Sequence, residues 1–396
     1  MSAPRVLVVS EYYPRRADPV LGVWAHRQAL AACQAGADVR VLVLHRPIPP
    51  LTALRARDWR RARAAVAQPR RASLDGVPVR YLRYLSPPRG LSYQSWGAWA
   101  APVLRRALTR EAPFDLIHAH YAVPSADAVR RAAPEIPLVV SVHGHDVQGA
   151  TAGGANVRAT LAAASLVLAN SAGTAARCLA LGAREARVVH LGADLPEALP
   201  APPAVPTLVT VAHLAARKRH ADVIGALARL AGAHPALRYV IVGDGPERQA
   251  LQALAGALGV GDRVQFTGAL SPAAAAAAAR AGTVFVLPSV DEAFGVAYVE
   301  AMAGGVPAVG CAGEDGPEEI AAAGGGIVLV PPRDPAALAS ELDALLRDEE
   351  RRAALGAQAR ETVARDFTWE ACGRATVEAY ADVLRCLDSA RDRGRL

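Results

Sequence analysis

Residues 284–310 read VFVLPSVDEAFGVAYVEAMAGGVPAVG, and the fold is decided by how this stretch is parsed. Residues 284–287 are a short, β-branched apolar run closed by Pro288-Ser289, which predicts a buried strand. After a loop at 290–294, residues 295–302 are apolar on nearly every face; they predict a buried helix, stopped by Gly304-Gly305 before strand resumes at Val306-Pro307. Glu300 is the one charge in that helix, and Glu292 precedes it by eight residues at the mouth of the same turn. An ionised carboxylate in such surroundings is costly unless something donates hydrogen bonds to it. A helix starting at the carboxyl end of a parallel strand points free N–H groups and partial positive charge at the crevice where open α/β sheets take phosphate-bearing ligands. Acids beside such an anion site suit hydroxyls rather than phosphate, and a sugar nucleotide offers both. An acidic helix start whose Glu300 merely meets an arginine fits the same residues.

Working outward, strand and helix patterns alternate on both sides. Downstream of residue 207 the strands are expected at 207–212, 239–242 (closing on Gly243-Asp244-Gly245), 263–267 and 327–330. Helices are expected at 222–233, 273–279, 335–346 and 349–365, the polyalanine run 273–279 by propensity alone. Upstream, strands are expected at 5–10, 39–45, 115–118, 138–143 and 166–170, with a helix at 23–35 ended by Gly36. Between the two halves lies PEALPAPPAVP, residues 196–206, with five prolines in eleven positions. Such a segment is stiff, extended and unable to join a sheet interior, so it is the natural linker. Two successive β/α halves predict twin Rossmann-like domains facing each other across a cleft. The first loop, EYYPRRADPVLG, lacks the G-x-G-x-x-G of an ordinary dinucleotide site.

With these residues in place, the 284–310 stretch resembles the E-x7-E signature of retaining glycosyltransferases of the GT-B group, specifically its large family 4. Glu292 and Glu300 occupy the two acidic positions, Phe294-Gly295 stands between them, and the preceding PS and following AMAGGVPAV match as well. The resemblance implies a GT-B architecture: a first domain at 1–195 for the acceptor, the linker 196–206, a nucleotide-sugar domain at 207–368, and a C-terminal stretch 369–396 that crosses back to brace the first domain. It implies that Glu292 and the backbone of Phe294, Gly295 and Val296 hold the donor sugar and its phosphate, that Glu300 holds the ribose, and that His143 in SVHGHD sits on the sugar. Gly22 and Gly243 are the glycines it places near the donor. In HLAARKRH the family has Arg, four residues, then Lys on the diphosphate; here His213 stands at the Arg position and Lys218 at the Lys position. A neutral imidazole is a poorer diphosphate clamp than a guanidinium, so His213 is expected to be protonated against phosphate, or Arg217 to supply the charge, or the donor to differ. The implied activity is transfer of a hexosyl unit from a UDP- or GDP-sugar to a glycan or lipid-linked acceptor, with Glu292, His143 and Lys218 at the reacting centre and no metal or other cofactor. Cell-surface polysaccharide or glycolipid synthesis is the expected setting.

Composition narrows the alternatives. Hydrophobic residues make up 52% of the 396 and aromatics only 5%, an alanine-swollen globular balance. No apolar run approaches the roughly eighteen residues of a membrane span, and no signal-type segment precedes residue 5, so cytoplasmic residence is expected. The five cysteines are scattered without C-x-x-C pairs and read as packing residues. Between 46 and 90 eleven Arg face two Asp, read as a basic helix anchored by Leu54, Trp59 and Val66. That segment is either a solvated face or a contact with an anionic membrane surface on the inner side; no nucleic-acid module surrounds it. Three other functions remain open on the residues. The pairs His118/His120 and His143/His145 could serve a metal-dependent hydrolase. A non-catalytic nucleotide-sugar-binding protein would bind donor without cleaving it, and a nucleotide-sugar isomerase would need no acceptor.

Overall fold

The computed structural model describes residues 3–49, 51–111, 113–148 and 153–393; the sequence-based limits at 1 and 396 and residue 50 of the basic segment lie outside them. The apolar runs become strands β1 (Arg5–Ser10), β2 (Asp38–His45), β3 (Arg71–Leu74), β4 (Val77–Arg83), β5 (Leu116–His120), β6 (Leu138–Val142), β7 (Leu166–Ala169) and β8 (Ala186–Val188). They form one sheet in the order β3-β4-β2-β1-β5-β6-β7-β8, parallel throughout except for the β3–β4 hairpin at its edge. The second half supplies β9 (Thr207–Val211), β10 (Arg238–Val242), β11 (Val264–Gly268), β12 (Val284–Val286), β13 (Ala308–Cys311) and β14 (Ile327–Val330). These pair, all parallel, in the order β11-β10-β9-β12-β13-β14. Setting the hairpin strand and the last strand aside, both sheets run 3-2-1-4-5-6, the doubly wound order whose direction reverses beside the first strand. Strands buried on both faces need continuous apolar sequence; Leu7, Val9, Ile117 and Val140 are buried in one core and Leu208, Ile241, Val286 and Val309 in the other.

The chain divides into Met1–His190 with Trp369–Leu396, and Leu191–Thr368. The proline-rich stretch therefore packs with the second unit. Proline removes donors but leaves carbonyls, and the carbonyls are used: Pro206 O accepts from Arg238 N at 3.0 Å and Pro196 O from Arg360 Nη2 at 3.2 Å. The C-terminal helix Trp369–Arg393 lies on helix Val23–Gln34 of the first unit. Gly373 lets the two backbones meet, since a Cβ there would fall 2.3 Å from Ala31 O.

The basic segment corrects the sequence-based reading. It holds two short helices, Leu51–Arg55 and Trp59–Val66, separated where Arg57 takes φ +53° and Asp58 N closes on Ala53 O at 2.9 Å. The β3–β4 hairpin follows, turning at Asp75 and Gly76, both at positive φ. Two of the three expected anchors do not anchor: Leu54 is 36% exposed and Trp59 63%, while Val66 is half-buried and Ala53 and Ala62 are buried.

Candidate functional site

In the second unit the direction of winding reverses between β9 and β12, and the turns leaving both strands carry the residues singled out above. After β12, Ser289 Oγ donates to Glu292 Oε2 at 2.8 Å. Lys218, arriving on the turn after β9, places Nζ on the same carboxylate oxygen, and Arg217 Nη1 lies 3.9 Å from it. The turns are tied together by backbone as well, Val290 N donating to Arg217 O at 2.9 Å. Glu292 N donates to Glu314 Oε2 at 2.7 Å, which brings in the acidic loop before helix Asp315–Gly324. Glu292 is 7% exposed. Burial pushes its carboxyl up, but Lys218, Arg217 and Ser289 together hold it below the ordinary value. Burial in turn lowers the Lys218 ammonium against the pull of Glu292. Glu314 is raised by burial and by the neighbouring Asp291 and Glu292.

Gly295 has φ +84° and opens helix Val296–Met302; a Cβ on it would strike the Tyr298 ring at 2.5 Å. Tyr298 is buried, its hydroxyl donating to Leu287 O. Phe294 packs its ring on Phe367 at 5.7 Å, so what it offers outward is backbone, held against Gly316, where a Cβ would fall 2.0 Å from Phe294 O. The helix is only seven residues long, which makes its dipole contribution small beside that of the Lys218 and Arg217 cations. Glu300 lies on this helix, half-buried, its carbonyl accepting from Arg280 Nε at 3.1 Å. His213 is exposed at the start of the basic turn, its carbonyl accepting from Ala215 N. Arg217, rather than His213, is thus the cation the structure sets beside Lys218. Gly243 has φ +138°, and a Cβ there would meet Ala212 O at 2.0 Å, so the close approach of the β9 and β10 ends accounts for it.

In the first unit the corresponding reversal falls between β1 and β5. His118, on β5, is built into the core: its ring nitrogens hydrogen-bond Tyr380 Oη at 2.7 Å and Ser141 Oγ at 2.8 Å. His120 Nδ1 meets His143 Nε2 at 3.0 Å with the rings stacked, and burial lowers both histidines, His143 to about 3. Asp146, which accepts from His143 N and Ala122 N, is pushed up to about 7 by burial. His145 is exposed. Among the described residues no group of three or more His, Cys, Asp or Glu is placed to hold a metal ion. Gly22 has φ +64°, and a Cβ on it would sit 2.2 Å from the Tyr12 backbone, so the returning loop requires glycine there whatever else it does. The sequence reading passed over Glu11, Arg15, Arg89 and Tyr93. Only Glu11, directly after the apolar run of β1, carried a positional signal.

Two doubly wound sheets, the second with cations and a buried acid at its point of reversal, define a two-unit Rossmann-like protein. "Glycosyl transferase 4-like domain" matches residues 21–194 and "Glycosyl transferases group 1" matches residues 194–362. A D-inositol 3-phosphate glycosyltransferase 2 of Catenulispora acidiphila is 30% identical over 400 residues, 90% of this chain and 92% of that protein. A GDP-mannose-dependent alpha-(1-6)-phosphatidylinositol monomannoside mannosyltransferase of Mycobacterium tuberculosis is 33% identical over 194 residues, 47% of this chain; that match spans about half of the relative, 49%. Anabaena HepE, solved in complex with UDP and glucose, has TM-score 0.71 at 20% identity over 96% of this chain and 100% of that one. The chain belongs to the group 1, or family 4, glycosyltransferases and has their GT-B fold.

Proposed function

We propose that the protein moves a hexosyl unit from a UDP- or GDP-sugar to an acceptor hydroxyl with retention of configuration, in the synthesis of a cell-surface polysaccharide or glycolipid. The observation that carries this reading is the Lys218–Glu292–Ser289 cluster, with Arg217 beside it, at the reversal point of the second sheet. Departure of a nucleoside diphosphate builds negative charge on its leaving oxygen, and fixed cations in a partly dry site stabilise that charge most. Lys218 and Arg217 do this. Glu292, already an acceptor of hydrogen bonds, turns to the sugar hydroxyls and Glu300 to the ribose. Gly243 and the backbone from Phe294 to Val296 give the donor room. His213 adds a donor to the diphosphate. The acceptor hydroxyl attacks on the face the diphosphate leaves. One relative carries GDP-mannose in its name and one fold neighbour was solved with UDP, which supports a nucleotide-sugar donor and leaves the base to experiment.

Acceptor-dependent release of nucleoside diphosphate, measured across a panel of nucleotide sugars chosen by thermal shift, tests the reading. Lys218→Ala is expected to lower kcat by about 10²-fold or more, the scale of losing one charge-stabilising donor. An unchanged turnover would sink the assignment. Because the chain supplies its own cations, activity is expected to persist in EDTA.

A specific surface favours membrane contact in addition. Leu54 and Trp59 are exposed on the two short helices together with Arg55, Arg60 and Arg63, and Arg57 is exposed in the turn between them. Exposed apolar side chains among guanidiniums suit the headgroup region of an anionic bilayer. No helix of the described residues is long and apolar enough to cross one. Equal co-sedimentation with anionic and neutral liposomes would remove this part of the proposal.

A further inference from the structure

The first unit holds a second polar cluster that the donor reading leaves unused. It lies where β1, β2 and β4 end, around Glu11, the residue that follows β1. Arg15 Nη2 donates to Glu11 O at 2.7 Å; Arg46 Nη2 donates to Ser86 O at 3.1 Å and Pro87 O at 3.2 Å; Arg89 donates to the Tyr12 hydroxyl. All of these acceptors are neutral, whereas Arg5, Arg80, Arg130 and Arg187 elsewhere in the unit each sit on a carboxylate. Aromatic rings hold two of the three guanidiniums in place: Arg89 lies over Tyr93 at 4.2 Å and over Tyr12 at 5.7 Å, Arg46 over Trp96 at 4.6 Å. Stacked guanidiniums with uncommitted N–H edges are preorganised for a planar or tetrahedral oxyanion.

Beneath them, hydrogen-bonding capacity is left over. His45 is 1% exposed and Tyr84 3%, yet neither ring nitrogen of His45 nor the Tyr84 hydroxyl has a hydrogen-bond partner, and Arg15 Nε and Ser86 Oγ share that condition. Buried polar atoms are ordinarily satisfied, and so many unsatisfied together at one place point to a ligand rich in polar groups. Glu11 accepts a 3.4 Å hydrogen bond from Tyr93, and burial raises its carboxyl to about 7 against Arg89, Arg15 and Arg46. Even ionised, its single negative charge leaves the three arginines in excess.

We propose that this cluster recognises a phosphate carried by the acceptor itself, gripped by Arg89 and Arg46, with Glu11, His45 and Tyr84 meeting the hydroxyls that adjoin it. The inference rests on the glycosyltransferase reading and names its acceptor class: a polyol or sugar bearing a phosphomonoester or phosphodiester. The phosphate belongs either to a free molecule or to a lipid headgroup, and the same grip serves both.

The test uses the full chain. UDP affinity is measured first, and the cluster is then titrated at saturating UDP, so that the cations of the second unit are occupied. The probes are glycerol 3-phosphate, glycerol, and vesicles of phosphatidylcholine with and without phosphatidylglycerol. Arg89 is exposed, so Arg89→Ala is expected to fold, and Arg89→Lys keeps the charge while losing the planar fork. Glycerol 3-phosphate binding tighter than glycerol, weakened at least ~10-fold in Arg89→Ala and partly restored in Arg89→Lys with UDP affinity unchanged, is the result expected for a free phosphate. The same pattern confined to phosphatidylglycerol vesicles assigns a headgroup. Equal binding by wild type and Arg89→Ala, or of glycerol and glycerol 3-phosphate, overturns the proposal, as does no binding of either phosphate probe. Should UDP itself fail to bind, the donor reading falls, and the titrations are read in Lys218→Ala instead.

Discussion

At the scale of single residues, the second unit's site depends on what glycine permits and on one shared carboxylate. Gly316 carries no unusual φ, yet a Cβ there would fall 2.0 Å from Phe294 O, a backbone atom that cannot step aside. Gly316→Ala is expected to cost about 1–3 kcal/mol, the usual range for overpacking, and to weaken UDP binding by displacing the 292–295 turn. Gly256, inside helix Arg248–Ala257, has nothing within 4 Å of its would-be Cβ, so Gly256→Ala is expected to stabilise by about 0.5–1 kcal/mol with unchanged UDP affinity. Denaturant melts of the pair separate site geometry from general fragility. The shared carboxylate makes a sharper prediction. Lys218 and Ser289 both donate to Glu292 Oε2, so in the free protein the acid holds the lysine in position. If Glu292 works on the sugar and Lys218 on the diphosphate, Glu292→Gln keeps UDP affinity within about threefold but loses turnover, while Lys218→Ala loses both. Calorimetric titration with UDP beside a turnover assay distinguishes the two; a Glu292→Gln enzyme with normal kcat would show that the acid does not touch the reacting sugar.

At the scale of elements, the first unit is laced to its last helix by a buried chain of hydrogen bonds. Tyr380 on helix Trp369–Arg393 bonds His118 on β5, His118 bonds Ser141 on β6, Ser141 donates to Gln28 Oε1, and Gln28 Nε2 donates to Thr376 Oγ1 on the same last helix. Burial lowers His118 to about 3, with His143 adding to the effect. The sign follows from which state binds the proton. In the unfolded chain the imidazole protonates near its ordinary 6.5, in the fold it stays neutral, so its contribution is complete above pH 6.5 and is lost as pH falls toward 3. Glu11 and Asp146, both raised to about 7, act oppositely: their contribution is complete at acid pH and fades as pH rises through 7. A melt series from pH 7 to 5 is therefore expected to show less acid loss in His118→Asn than in wild type, and Tyr380→Phe to cost about 1 kcal/mol at every pH in that range. An identical acid slope in His118→Asn would exclude the histidine as the sensor. None of this chain was legible beforehand, because hydrogen bonds between residues up to 348 positions apart leave no periodic trace. What was legible is what repeats locally: the apolar runs of β1, β2, β9 and β14 and the Gly295 turn. The β3–β4 hairpin was missed although Asp75-Gly76 is a hairpin signal, since the surrounding arginines outweighed it in the reading. Arg217 and Lys218 could be picked out from the basic turn after a strand; that Arg217 joins Lys218 beside Glu292 depends on how the turn is wound, which Val290 N fixes through Arg217 O.

At the scale of the whole molecule, two sheets with separate cores are expected to unfold as two cooperative units rather than one. A chain of this kind is not expected to melt in a single two-state transition. A ligand that binds one unit raises the midpoint of that unit by mass action and leaves the other in place. UDP is therefore expected to shift one calorimetric transition, that of Leu191–Thr368, and glycerol 3-phosphate the other. The covalent order of the chain offers an independent check on which is which. Residues from Trp369 onward follow the second unit in sequence yet belong to the first, through the Gly373–Ala31 approach, the Gln28–Thr376 bond and the Arg187–Asp382 pair at 2.7 Å. Ending the chain at Thr368 exposes the face of helix Val23–Gln34 that this helix covers, so the transition insensitive to UDP is expected to fall sharply or vanish. The UDP-sensitive transition should stay close to its original midpoint. If truncation instead lowers the UDP-sensitive transition, the last helix stabilises the nucleotide-binding unit and the division of the chain at His190 and Trp369 is wrong.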